Sequence, residues 1–388
     1  FPTIMINGAT QLLNRLDEIV GIPSISSASE DLDMSNSPVI DYLAERFADL
    51  GFSCEIVACS QPGKVNLIAT KGTGPGGLVL AGHTDTVPLD QALWSVDPFA
   101  LTEKDNKLYG LGITDMKGFF PLVMNAVEGL NIERFDQPLI ILATADEETS
   151  MDGARTLAEL GRPRARAAVI GEPTGLVPVM AHKGMMMDEI RLLGQSGHSS
   201  NPDLGINAME AMHAVITDLI SYREELKRNY QNPLFDIPFP TLNLGSIHGG
   251  DNPNRICGHC NLQFDVRLMP GMHVDDLRAE IDQRVQRRVG PLGIQFERAI
   301  LFNGVPAFFA QENSELLKTA EALTGHAGTS VAFGTEAPFL QQLGMDTIIM
   351  GPGSIDQAHQ PDEYLSLDLL EPTVGLLQKL ILKYCAAG

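Results

Sequence analysis

Three consecutive carboxylates, Asp146, Glu147 and Glu148, close the apolar run "LIILATADEETS" at 139–150. Like charges crowded at the mouth of a buried strand are costly to desolvate unless a cation or a proton joins them. Alone, "DEE" reads as a solvated loop. Several other stretches end the same way, however. "LVLAG" is followed by His83 and Asp85, "AAVIG" by Glu172, and "DTIIMG" leads through "PGSIDQA" to His359. "YGLGITDMKG" sets Asp115 beside a helix start. Two histidines with several carboxylates and no cysteine suit a borderline divalent metal such as zinc. One carboxylate shared between two ions would make a two-metal centre.

The spacing divides the work. His83 and Asp85 are two apart, so on extended chain they point the same way, and Asp85 can sit beside the imidazole or its metal and raise ligand basicity. Glu147 and Glu148 are adjacent and diverge. One can ligate, while the other takes a proton from the metal-bound water.

These groups need a scaffold that brings distant segments to one edge. "GLVLAG" (77–82), "PLIILATA" (138–145), "AAVIGE" (167–172) and "DTIIMG" (346–351) are short, continuously apolar runs, as expected for parallel strands covered on both faces. Helical spacing marks Leu12, Leu16 and Ile19, then Ile40, Leu43 and Phe47, then the stretches 118–130 and 152–160. The alternation predicts an α/β fold with a doubly wound, mostly parallel sheet. In such sheets sites form at the carboxyl ends of the strands. Residues 181–300 read differently: strand, helix, strand, strand, helix, strand. Ile206, Met209, Met212, Ile216 and Leu219 line one helix face, and Leu277, Ile281, Val285 and Val289 another. The alternation of "ICGHCNLQFDV" implies a sheet with one wet face. The expected organisation is a metal-binding catalytic domain, 1–180 and 301–388, with an inserted α+β domain at 181–300.

Composition narrows the function. The 388-residue chain is 44% hydrophobic and 20% charged, with a formal net charge of -22. Such acidity argues against nucleic acid as a partner, since phosphate contacts need clustered Lys and Arg. No apolar run is long enough to span a bilayer, so no membrane partner is expected. "FPTIMINGAT" lacks signal-peptide features, and the five scattered cysteines form no disulfide framework, so a cytoplasmic protein is expected.

At "GHTDTVP" (82–88), "GLGITDMKG" (110–118), "ATADEETSMDGA" (143–154), "IGEPT" (170–174), "GQSGHSS" (194–200) and "GPGSIDQAHQPDEY" (351–364) the chain resembles the M20 family of metallopeptidases and deacylases. The resemblance covers nearly the whole chain. It looks most like the bacterial deacetylases of arginine biosynthesis that release ornithine from N2-acetyl-L-ornithine. The family resemblance implies two zinc ions per subunit, for which cobalt can substitute. His83 and Glu172 would bind one ion and Glu148 and His359 the other, with Asp115 bridging. Asp85 would orient the first site and Glu147 serve as general base. It also implies that the inserted domain is a lid and homodimer interface. From there His198 would reach an active site, commonly the other subunit's, and stabilise the oxyanion.

The substrate would be a small N-acyl amino acid. Arg255 with Asn254, in "HGGDNPNRI", suits its α-carboxylate, because Arg binds carboxylates bidentately. Gly351 and Gly353 could add backbone N–H groups, and Glu336 could meet a substrate ammonium. Related specificities are acetylcitrulline, succinyl-diaminopimelate and dipeptides. Met185, Met186 and Met187 read as adaptable packing. A rival reading rests on "CGHC" at 257–260, a tetrapeptide of thiol–disulfide isomerases. That chemistry needs an exposed low-pKa cysteine at a helix start, whereas this motif lies in a strand pattern.

Overall fold

The computed structural model describes residues 9–130, 132 and 134–386. Most of the opening stretch read for a signal peptide lies outside the described residues. The chain divides into two compact units, Phe1–Met180 with Ala310–Thr329 and Glu336–Gly388, and Ala181–Phe309 with Ser330–Thr335.

In the larger unit the four apolar runs are the strands Leu78–His83, Leu139–Thr144, Ala167–Pro173 and Asp346–Gly351. The first three are buried along their whole length, as strands with no polar face must be. They pair in parallel in the order 139–144, 78–83, 167–173, 346–351. Ser53–Ala58 and Val65–Lys71 extend the first edge antiparallel. His83 lies level with Thr144, and Ala81 with Ile170, so the carboxyl ends finish along one line. Helix Phe119–Leu130 is buried along nearly its whole length and packs against helix Leu370–Cys385. Among the described residues, no helix is long and apolar enough to cross a membrane.

The smaller unit is an antiparallel sheet in the order Thr241–Gly249, His259–Leu268, Gly184–Leu193, Gln295–Val305. Helices Ala208–Asn229 and Val274–Val289 cover its buried face. The last strand runs to Val305, so the chain leaves this sheet later than position 301, and the larger unit resumes at Ala310. The buried face of the first helix is rotated from expectation. Met212, Val215, Leu219 and Tyr222 face inward, whereas Met209, in the first turn after the Asn207 cap, is exposed. Met185, Met186 and Met187 lie in the central strand, only Met186 fully buried. Opposite Phe264 on the buried face sits Asp188, held by two hydrogen bonds from Arg278 at 2.8 and 2.9 Å.

Two glycines let the segment after Asp115 press onto the sheet of the larger unit. A Cβ at Gly82 would lie 2.4 Å from Met116 Cε, and one at Gly171 would lie 2.4 Å from the Phe119 ring. The Met116 methyl is the end of a flexible side chain, but the ring can move only as a body. Gly171→Ala is therefore expected to lower unfolding free energy by about 1–3 kcal/mol through overpacking. Gly82→Ala should cost less. Urea unfolding of the two variants measures the difference, and equal losses would mean that ring contact does not set the packing.

Candidate metal and catalytic site

His83 ends its strand with the imidazole buried. Its Nδ1 lies 3.0 Å from the Asp85 backbone carbonyl, which accepts its proton. Its Nε2 faces Asp115 Oδ1 at 3.0 Å and Glu172 Oε1 at 3.7 Å. A neutral ring in that tautomer turns a lone pair toward two carboxylates. The arrangement is repulsive unless a proton or a metal ion stands between them.

Asp115 is nearly buried, and its two oxygens face different partners. Oδ1 meets His83, while Oδ2 lies 3.4 Å from His359 Nε2. His359 Nε2 is also 3.0 Å from the Glu148 carboxylate. One carboxylate thus stands between two imidazoles, each with a second carboxylate of its own: Glu172 for His83, Glu148 for His359. His83, Asp115 and Glu148 each offer a ligand atom within 4.8 Å of the others. The donor chemistry fits a pair of divalent cations, with imidazole and carboxylate ligands and no thiolate.

The three carboxylates that end strand Leu139–Thr144 separate into different tasks. Asp146 sits in the left-handed region (φ 57) and turns the chain. Its carboxylate accepts from Lys64 Nζ at 2.8 Å and Ser26 Oγ at 2.9 Å, so it anchors the turn and does not face the imidazoles. Beyond it, the Glu147 and Glu148 amides donate to the Asp85 carboxylate at 3.2 and 3.0 Å. Asp85 therefore orients His83 mainly through its carbonyl, and its side chain, 3.6 Å from Nδ1, holds the backbone of both glutamates.

The electrostatics follow from crowding. Burial, reinforced by neighbouring carboxylates, raises Glu147 and Glu172 well above the usual range and also raises Glu148. Burial opposes charge on His83, but Asp115 and Asp85 outweigh it and its pKa stands well above the ordinary histidine value. Hydrogen bonds to Asp115 and Glu148 push His359 up to about 10. Asp115 is lowered, because its hydrogen bonds to the two rings overcome burial. Crowded buried anions of this kind favour a bound proton or cation, and a cation that binds such ligands displaces protons from them.

His198, Asn254 and Arg255 lie together in the smaller unit. His198 and Arg255 form an isolated bridge, and Ser199 N donates to Asn254 O at 3.1 Å. All three are exposed, and Arg255 is paired with Asp251. His198 Nδ1 accepts from the Ser200 amide at 3.2 Å, so the exposed Nε2 carries the proton. Gly351 N donates to Thr174 Oγ1 at 3.2 Å, which engages the amide expected to face substrate. A Cβ at Gly353 would meet Thr114 Cγ2 at 2.6 Å. Glu336 is buried at the start of helix Ala337–Gln342, its Oε1 without a hydrogen-bond partner, and burial pushes it up to about 7.

Sequence reasoning assigned nothing to Lys64, Ser26 or Glu363, all of which brace the site. Glu363 lay inside a quoted motif, "HQPDEY", while Lys64 carried no signal at all. As for "CGHC", Cys257 precedes the strand, which starts at His259, so the motif leads into a strand and not into a helix start. Both thiols are free and buried, and burial raises Cys260, the opposite of a redox-active thiol.

The family described as Peptidase family M20/M25/M40 matches residues 79–383. The chain is 46% identical over 376 residues to an acetylornithine deacetylase of Photorhabdus laumondii, covering 96% of each chain. It is 47% identical over 367 residues to one from Vibrio campbellii, covering 95% of this chain and 97% of that one. Among solved structures, the M20 family metallo-carboxypeptidase Sso-CP2 of Sulfolobus solfataricus is similar with a TM-score of 0.73 at 18% identity, over 96% of this chain and 98% of that one. A dinuclear metal binding peptidase of the M20 family from Bacillus subtilis gives 0.68 at 15% identity, over 96% and 97%. The chain belongs to peptidase family M20/M25/M40.

Proposed function

We propose that this protein is a cytoplasmic deacetylase of arginine biosynthesis that hydrolyses N2-acetyl-L-ornithine to L-ornithine and acetate. The observation that carries the reading is the Asp115 carboxylate set between His83 and His359, with the backbone of Glu147 and Glu148 pinned by Asp85. The acetylornithine deacetylases at 46–47% identity over nearly the full length support the substrate.

The ions are proposed to be zinc, two per chain, with cobalt able to substitute. His83 and Glu172 would hold one, His359 and Glu148 the other, and Asp115 both. When bound, such a pair polarises the amide carbonyl and acidifies water. Glu147 takes the proton of the attacking water and returns it to the leaving amine. Burial suits it to that task, since a carboxylate raised toward neutrality both accepts and releases a proton. Arg255 and Asn254 would bind the substrate's α-carboxylate. The unpaired Glu336 Oε1 would meet the ornithine ammonium, and the Gly353 backbone would line the pocket. Gly351 would contribute shape, its amide being occupied.

We further propose a homodimer formed through the smaller unit, whose outer strands carry the exposed Ile247, Ile300 and Leu301. His198 would then donate its Nε2 proton to the oxyanion in the partner's site, a role its tautomer suits.

Two experiments test these proposals. The first compares kcat/KM for N-acetyl-ornithine, N-acetyl-citrulline, N-acetyl-methionine and succinyl-diaminopimelate. Acetylornithine should lead by about 10-fold or more, the worth of one hydrogen bond to a charged group. A clear preference for any of the others would displace the substrate proposal. The second mixes protomers. His198→Ala should lose about 100- to 1,000-fold in kcat, as for removal of one oxyanion donor, with a smaller effect on KM. Activity should return on mixing it with Glu147→Gln, because each heterodimer regains one intact site. Heterodimers that form without regaining activity would exclude action across the dimer.

A further inference from the structure

Among the described residues, Glu363 is the buried carboxylate that stands directly behind the metal-binding face, and the proposed reaction leaves it without a task. Only 2% of it is exposed, so it is closed off from substrate. Its Oε2 accepts from Gly112 N at 2.9 Å, and its Oε1 accepts from Thr114 N at 2.8 Å and Asp115 N at 3.0 Å. Three amides of one turn thus converge on a single side chain. Gly112 has φ 77, where glycine is favoured, and the turn has no strand partner for these amides. Buried amides need acceptors, and a carboxylate is the strongest a side chain offers.

The surrounding chain is joined to the same segment. Gly110 N donates to Glu363 O at 3.1 Å, and Thr114 Oγ1 donates to Tyr364 O at 2.6 Å. Strand Tyr364–Ser366 pairs antiparallel with Lys107–Tyr109. Four residues before Glu363 lies His359, whose Nε2 is 3.4 Å from Asp115 Oδ2. One short segment therefore approaches Asp115 twice, with His359 at its carboxylate and Glu363 at its backbone.

We propose that Glu363 is the positioning residue of the bridging carboxylate: by holding the amides of Gly112, Thr114 and Asp115, it fixes Asp115 so that both oxygens face outward at once. This rests on the metal-centre reading above. A carboxylate that serves one ion tolerates rotation about its side-chain bonds, but one that serves two does not. Loss of the Glu363 anchor should therefore weaken the ion pair more than it weakens the fold. Groups that orient metal ligands from behind typically contribute 10- to 100-fold in metal affinity, and a loss of about that size is expected here.

The test uses the metal-free full chain, titrated with cobalt(II) and followed by visible absorption, with zinc affinity read by competition against a chelating dye. Wild type should take two equivalents. Glu363→Gln keeps the size of the side chain but turns an NH2 group toward at least one amide. It should bind the second equivalent about 10- to 100-fold more weakly. Its cobalt spectrum should change, and kcat at saturating metal should fall with little change in KM. Glu371→Gln, an exposed change in the neighbouring helix, should match wild type throughout. If Glu363→Gln fails to fold, Glu363→Asp reads the same quantities, because a side chain one methylene shorter cannot reach all three amides. A variant that loses only thermal stability, with metal affinity and spectrum unchanged, would overturn the proposal. A wild-type protein that takes up no second equivalent would instead overturn the metal-centre reading on which it stands.

Discussion

Asp115 lies between two imidazoles, and each of its oxygens is committed to one of them. Every other demand on the larger unit follows from that position. Two histidines 276 positions apart must be brought to one carboxylate, and three more carboxylates must stand close by without driving the structure apart. A buried anion cluster of this kind is stable only with cations or trapped protons. The raised Glu147, Glu148 and Glu172 and the lowered Asp115 are the two sides of that balance.

The protein meets the demand chiefly with backbone groups. Asp85 holds the amides of Glu147 and Glu148, Glu363 holds those of the Asp115 turn, and the Asp85 carbonyl holds His83. Parallel strands align the starting points, and Gly82 and Gly171 admit the Met116 and Phe119 side chains close under the site. Amides fixed in turns have little room to relax, so these backbone contacts constrain where the carboxylates point. The negative side chains closest to the reaction are thus positioned by contacts on their far sides.

Much of this was legible in the sequence because it is written locally. Continuous apolar runs with a polar residue at the end point to a buried strand and a candidate site edge together, and the strands expected before His83, Glu147 and Glu172 are present. The succession of strands and helices in the smaller unit followed from periodicity and alternation. What periodicity cannot carry is the choice of partner. Asp146 looked like a member of the cluster but is taken by Lys64, 82 positions away. Asp85 looked like a side-chain partner of His83 and serves mainly through its carbonyl. Glu363 and the buried Asp188–Arg278 pair are contacts between segments remote in sequence, visible only once the chain is folded. Met209 was read onto the buried helix face but lies exposed in the first turn after the Asn207 cap.

The most direct test of the central claim is a crystal structure of the zinc-loaded protein with anomalous scattering recorded at the zinc edge. The account predicts two peaks, with Asp115 binding both ions through different oxygens, His83 and Glu172 on one, His359 and Glu148 on the other, and Glu147 on neither. A single ion, or Glu147 as a ligand with Asp115 on one ion only, would contradict it.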